Sequence, residues 1–153
     1  MISITVIDES VLAMLRDVRH RLGDLSPAMH DIGESLLELT KQRIASGVDW
    51  HGAPFAPNSP MVVARKGSDR PLIEHGTLRS SQVFYRATSD SVRIGSSAVQ
   101  SGVLQFGAQR SQFAPGVPWG DVPERPFLPI DPSGSLPPLA RQTVLDVLLG
   151  YLS

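Results

Sequence analysis

The rhythm of apolar and polar residues changes along this chain, and the changes divide it into elements. The opening ISITVI alternates and is β-branched, which predicts a strand over Ile2–Ile7. Asp8 follows, placed to accept backbone N–H bonds as a helix cap. Val11, Leu15, Val18 and Leu22 then recur at helical spacing, with Met14 beside the stripe and Gly23 as the stop. LSPAMHDIGESLLELTKQRIASG predicts a second helix. Ser26 is a suitable N-cap and Pro27 suits the first helical position. Met29, Ile32, Leu36, Leu37 and Ile44 give a broad apolar stripe that includes Thr40 and reads as core. Lys41 and Arg43 complement the negative helix end, and Gly47 stands where a left-handed cap belongs. The two helices predict an antiparallel hairpin.

After Val48 the pattern breaks up. VDWHGAPFAPNSPMVVARKGSD carries three prolines, two glycines and two aromatics. It reads as an ordered loop anchored by burial of Trp50 and Phe55, with a short helix after Pro60. In GTLRSSQVFYRATSDSVRIGSS, Val83, Tyr85 and Ala87 alternate with Phe84 and Arg86, TSD forms a turn and SVRIG returns, which predicts a β-hairpin. AVQSGVLQFGA predicts a short helix ending at Gly107. QRSQFAPGVPWGDVPERP is loop, and FLPI is a short apolar strand or docking segment. SLPPLARQTVLDVLLGYLS closes the chain as an amphipathic helix with Pro137 and Pro138 in its first turn. These elements predict one α+β domain over residues 1–153. A small, mostly antiparallel sheet packs against the N-terminal helical hairpin and the C-terminal helix, with long Gly/Pro-rich loops.

Composition narrows the picture. The chain has 153 residues, enough for one core, and its 13 Gly and 13 Pro fall mainly in the middle and late loops. With no cysteine, a disulfide framework and a Cys-based zinc site are excluded. No apolar run approaches a membrane span and the first residues do not resemble a signal peptide, so a soluble protein is expected. Net charge is −1, yet it is unevenly spread. Residues 1–50 carry five basic and eight acidic side chains, whereas residues 65–110 carry seven basic and three acidic ones. The basic segment reads either as a solvated face or as a surface aimed at a polyanion or an acidic partner subunit.

Catalytic chemistry finds little support. PLIEHGTLRSS gathers Glu74, His75, Thr77, Ser80 and Ser81, but there is no G-x-S-x-G elbow, no HExxH, no P-loop and no dinucleotide fingerprint. Adjacent Glu74 and His75 diverge on a strand and on a helix alike. A metal site assembled with His51 through folding remains an alternative, but no cofactor or metal is expected. The basic segment also lacks the dense cation and aromatic interleaving of a dedicated nucleic-acid binder.

Five stretches in order carry a resemblance: HGAPFAPNSP (51–60), LIEHGTLRSS (72–81), SVRIGSS (91–97), LQFGA (104–108) and PERPFLPI (123–130). They resemble the phage virion morphogenesis family, the tail-completion proteins of Mu-like phages and prophages. Phe55 stands where that pattern often has Trp, Leu104 where it has His, and Pro129 where it has Gly. Leu72, Ile73, Gly76, Leu78, Arg79 and Ser81 carry the match in their stretch, which then reads as a turn and a strand start. Glu74 and His75 fall at its variable places.

The resemblance implies a structural, non-enzymatic virion protein that completes or terminates the tail at the neck. It implies copies of itself in a ring, hexameric in related proteins, with tail-tube and head–tail connector proteins as neighbours. Passive contact with DNA in the lumen follows, with no membrane partner, and with host cytoplasm as the place of assembly. Two loops, 51–69 and 109–124, read as arms that order against neighbours. Trp50, Phe55, Phe113, Trp119, Arg125 and Phe127 are the candidates for subunit contacts, although Trp119 could equally pin its own loop. Arg79, Arg86 and Arg93 are the candidates for facing DNA or an acidic partner. Two rival readings are a head-side closure protein and a small hydrolase or metal enzyme using His51, Glu74, His75 and Ser80.

Overall fold

The computed structural model describes residues 2–3, 5–72, 78, 82–116 and 120–153. Among these, helices α1 (Glu9–Leu22), α2 (Ser26–Ser46), α3 (Pro60–Lys66), α4 (Ser101–Phe106) and α5 (Pro138–Leu152) accompany strands β1 (Ile2–Ser3), β2 (Val83–Ala87) and β3 (Val92–Ser96). The fold is α+β, with an N-terminal helical hairpin, a C-terminal helix and an antiparallel sheet of order β1-β3-β2.

Asp8 caps α1 as its position predicts, accepting from Val11 N at 3.2 Å. Its other oxygen meets Arg141 Nε of α5 at 2.6 Å. Burial opposes ionisation of Asp8, but the Val11 N–H and the Arg141 guanidinium outweigh it and hold the pKa below the usual carboxylate range. Asp8→Ala, which loses both contacts, is therefore expected to lower stability by about 1 kcal/mol. Asp8→Asn keeps an acceptor for the cap. Because the folded pKa is depressed, the ion pair's contribution is complete above the unfolded value and is lost as pH falls through the folded one. Denaturant melts of the wild type and Asp8→Asn should converge as pH drops through that range. A gap that persists in acid would contradict the assignment.

The start of α2 departs from expectation. Ser26 lies inside the helix, and Asp24 accepts from both its backbone N (3.0 Å) and its hydroxyl (2.9 Å). The far end follows the sequence, with Gly47 at φ 73° closing onto Arg43 and Ile44 carbonyls. The buried face of α2 serves two clusters. Met29, Ile32 and Leu36 join Val18 of α1 and Val144 and Leu148 of α5. Ile44 joins Phe55, Leu78, Val83, Phe127 and Leu128. Thr40 is buried between them and is satisfied by Leu36 O at 2.7 Å. α5 packs against both α1 and α2. Leu22, assigned to the α1 stripe by spacing, is 43% exposed at the helix end.

The sheet lies on α2 through β2 and β3. Contact is close at one point, where a Cβ on Gly33 would lie 2.2 Å from the Tyr85 ring. Thr88 closes the hairpin, since its hydroxyl accepts from Ser91 N at 3.1 Å and donates to Asp90 at 2.9 Å. Residues 83, 85 and 87 face α2 while 84 and 86 face outward, because side chains alternate along a strand.

The N-terminal strand is shorter than predicted, and of the two readings of FLPI the docking segment holds. Among the described residues, β1 pairs Ile2 with Ser96 and Ser3 with Gly95. Thr5–Ile7 leave the sheet to bring Asp8 to its cap position, so Ile7 is 78% exposed. Their departure leaves a mostly apolar cleft of about 420 Å³ between residues 5–8 and 90–94. FLPI forms no strand and serves as a docking segment, with Phe127 and Leu128 buried. In PLIEHGTLRSS only Pro71, Leu72 and Leu78 are described. Leu78 fills the second cluster. β2 begins at Val83, with Gln82 before it outside the strand. Glu74, His75, Thr77, Ser80 and Ser81 lie outside the described residues.

Candidate functional site

The stretches quoted above, far apart in sequence, meet in the fold. Beyond Gly47 the chain makes a tight loop. Asp49 N donates to Ala53 O at 2.8 Å, and the Asp49 carboxylate accepts from His51 N and Ala53 N, both at 2.9 Å. Phe55 N then returns to Gly47 O at 2.9 Å. This closed loop sets Trp50 and Phe55 inward, 4% and 6% exposed.

Each arriving segment is held by a side chain that satisfies buried backbone. Trp50 Nε1 donates to Phe127 O at 3.0 Å. Gln105, buried on α4, accepts from Phe127 N and Leu128 N through one oxygen, both at 3.0 Å. Arg125 N donates to Leu104 O, while its guanidinium donates to Ala56 O and Pro57 O, all at 2.7 Å. Burial lowers the Arg125 pKa below its ordinary value, and a guanidinium starts so high that it stays charged. Ser101 Oγ donates to Ser96 Oγ at 2.7 Å, which stitches α4 to β3. On the surface, His51 Nε2 meets Asp131 Oδ1 at 2.5 Å and ties the first loop to the segment before α5.

The second long loop springs from this clamp. Ala108 and Val122 exchange hydrogen bonds of 2.9 and 2.7 Å across its neck. Arg110 N donates to Asp121 Oδ1 at 2.7 Å. Gly107 makes the entry possible, with φ 72° and ψ 179°. A Cβ there would lie 2.8 Å from Val122 O and 2.9 Å from Glu124 N. The loop carries half-buried Phe113 beside a shallow hollow lined by Arg110, Ala114 and Pro115. Trp119 lies outside the described residues.

The arrangement is structural in its chemistry. Trp50, Gln105 and Arg125 bond to backbone, Ser101 and His51 bond to side chains, and no group of three His, Cys, Asp or Glu side chains among the described residues is placed to hold a metal ion. The profile of the phage virion morphogenesis family matches residues 6–153, which covers the clamp and nearly the whole chain. The chain belongs to the phage virion morphogenesis family. It is thus a protein of phage virion structure and assembly. No curated protein and no solved structure matches it closely enough to add to this. No helix among the described residues is long and apolar enough to cross a membrane.

Within that family role the candidate residues divide. Trp50, Phe55, Arg125 and Phe127, considered above as subunit contacts, are buried inside their own chain and leave little surface for a neighbour. Their hydrogen bonds and packing explain why: they hold the loops to the core. Arg86 and Arg93 are brought together as a directly opposed cross-strand pair on the outer face of the sheet, both exposed. Arg79 lies outside the described residues. Gln105, Ser96, Ser101 and Asp131 are members of the clamp that residue type alone did not single out.

Proposed function

We propose that this virion protein completes the tail at the neck, as a ring of identical copies without catalytic chemistry of its own. The clamp carries the reading. Buried Arg125 holds the base of the 51–69 loop through Ala56 O and Pro57 O, and the Ala108–Val122 and Arg110–Asp121 bonds hold the base of the 109–124 loop, as arms offered to neighbours require. Tail tube and connector proteins are the partners in this reading. DNA passing through the lumen is a passive contact, and assembly takes place in the host cytoplasm.

The test is a phage carrying a stop codon in this gene. Its lysates should contain filled heads and separate tails, and the chain supplied in trans should join them. In the wild type, the chain should be present on tails made without heads. Its presence only on filled heads would replace this reading with a head-side closure protein.

A further inference from the structure

We infer that the ring is closed head to tail, with the basic outer face of the β2–β3 hairpin of one copy seated on the acidic solvent face of α2 in the next. This rests on the ring reading and specifies its contact. Arg86 and Arg93 stand directly opposite each other across the hairpin. Like charges in that position repel and destabilise a sheet. No carboxylate among the described residues lies within ion-pair distance of either. Arg86 lies over the Phe84 ring, 5.3 Å from its centroid, which holds the guanidinium against the sheet and adds apolar contact area beside it.

The complementary face is on the same chain. Asp31, Glu34 and Glu38 are all exposed on α2, and spacings of three and four residues place them in one row. Asp146 of α5 joins them at a shallow cleft with Asp31 and Glu34. The Tyr151 hydroxyl donates to Asp31 and fixes that carboxylate, which in turn raises the tyrosine pKa. No cation among the described residues pairs with any of the four carboxylates. Successive acidic side chains are spaced roughly 4.5–6 Å along the helix axis, which matches the roughly 5 Å between opposed residues of a hairpin. Two guanidiniums can therefore each meet a carboxylate.

The sheet has its inner face on α2, so its outer face and the solvent face of α2 point to different sides of the protomer. A two-fold dimer through the basic face would set it against itself and repel. A heterologous contact pairs unlike charges at every joint and closes into a ring if the rotation allows. Two opposed arginines, with net charge −1 on the chain, suit this contact better than the dense cationic surface of a nucleic-acid binder.

The experiment is sedimentation of the full chain at several salt concentrations, with two charge-reversed variants. Arg86→Glu with Arg93→Glu, and separately Glu34→Arg with Glu38→Arg, should each weaken association at least about 100-fold, since juxtaposed like charges cost several kcal/mol. Both changes are at exposed positions, so circular dichroism and melting of the monomer should stay close to wild type. The decisive result is that mixing the two variants restores assembly, because each then offers the face that the other needs. Added salt should weaken the wild-type ring. Rings that survive both reversals and high salt would overturn this contact and leave the ring reading standing. A chain that stays monomeric throughout would overturn the ring itself. Loss of binding to a DNA duplex probe on Arg86→Glu/Arg93→Glu, with assembly unchanged, would assign the basic face to nucleic acid and overturn the proposal.

Discussion

Trp50→Ala is expected to lower the unfolding free energy by about 3–5 kcal/mol, the range for removing a large buried aromatic. The indole is 4% exposed and packs with the cluster of α1, α2 and α5. It also spans two segments, because Nε1 donates to Phe127 O across 77 residues of chain. Trp50→Phe separates the two contributions. It keeps most of the apolar contact but leaves that carbonyl without its donor, an expected cost of about 1–3 kcal/mol. Denaturant unfolding of the three proteins measures both steps. Equal stability of Trp50→Phe and wild type would mean that the hydrogen bond contributes nothing and packing alone seats the segment. If the chain joins heads to tails as proposed, Trp50→Ala should fail there through loss of folded protein rather than loss of a contact.

Gly107→Ala is the second large effect. Its φ of 72° with ψ of 179° is a conformation that side-chain-bearing residues rarely adopt. The added methyl would also meet backbone atoms of Val122 and Glu124 under 3.0 Å, and these cannot swing aside as a side chain could. Strain and crowding together should cost roughly 2–5 kcal/mol. The damage should be local, at the bridge between Ala108 and Val122 that closes the 109–121 loop. Hydrogen exchange of the Ala108 and Val122 amides should quicken more than that of α2. If the loop is an arm, this variant should fold and yet fail to join heads to tails. Uniform loss of protection across the chain would show instead that the bridge belongs to the global fold.

Much of the fold was legible because it is written in local terms. Helical spacing gave α1, α2 and α5. Asp8, Gly23, Gly47 and Gly107 marked ends through caps that need only a few neighbouring residues. Alternation and a Thr-Ser-Asp turn gave the hairpin. The misreadings share a cause, which is competition from side-chain contacts that spacing and residue type do not reveal. ISITVI has the pattern of a six-residue strand, but Asp8 must reach both the α1 N-terminus and Arg141, more than a hundred residues away. Ser26 has the chemistry of a cap, but Asp24 holds it inside the first turn.

The site was legible as a set of stretches and illegible as a shape. Trp50, Phe55, Arg125 and Phe127 drew attention by residue type, which does not say whether a large side chain faces its own core or a neighbour. Gln105 drew none, since a glutamine's worth depends on which backbone donors surround it. By itself the sequence determined the long helices, the β-hairpin, the family and an uneven spread of charge, because each is a property of residue order. Only the tertiary structure decided that the quoted stretches close on one another as a clamp, and that Arg86 and Arg93 stand side by side on one face, without an ion-pair partner among the described residues, while Asp31, Glu34 and Glu38 line another. Those depend on burial and on contacts across the whole chain, where desolvation and backbone satisfaction set the roles of the side chains.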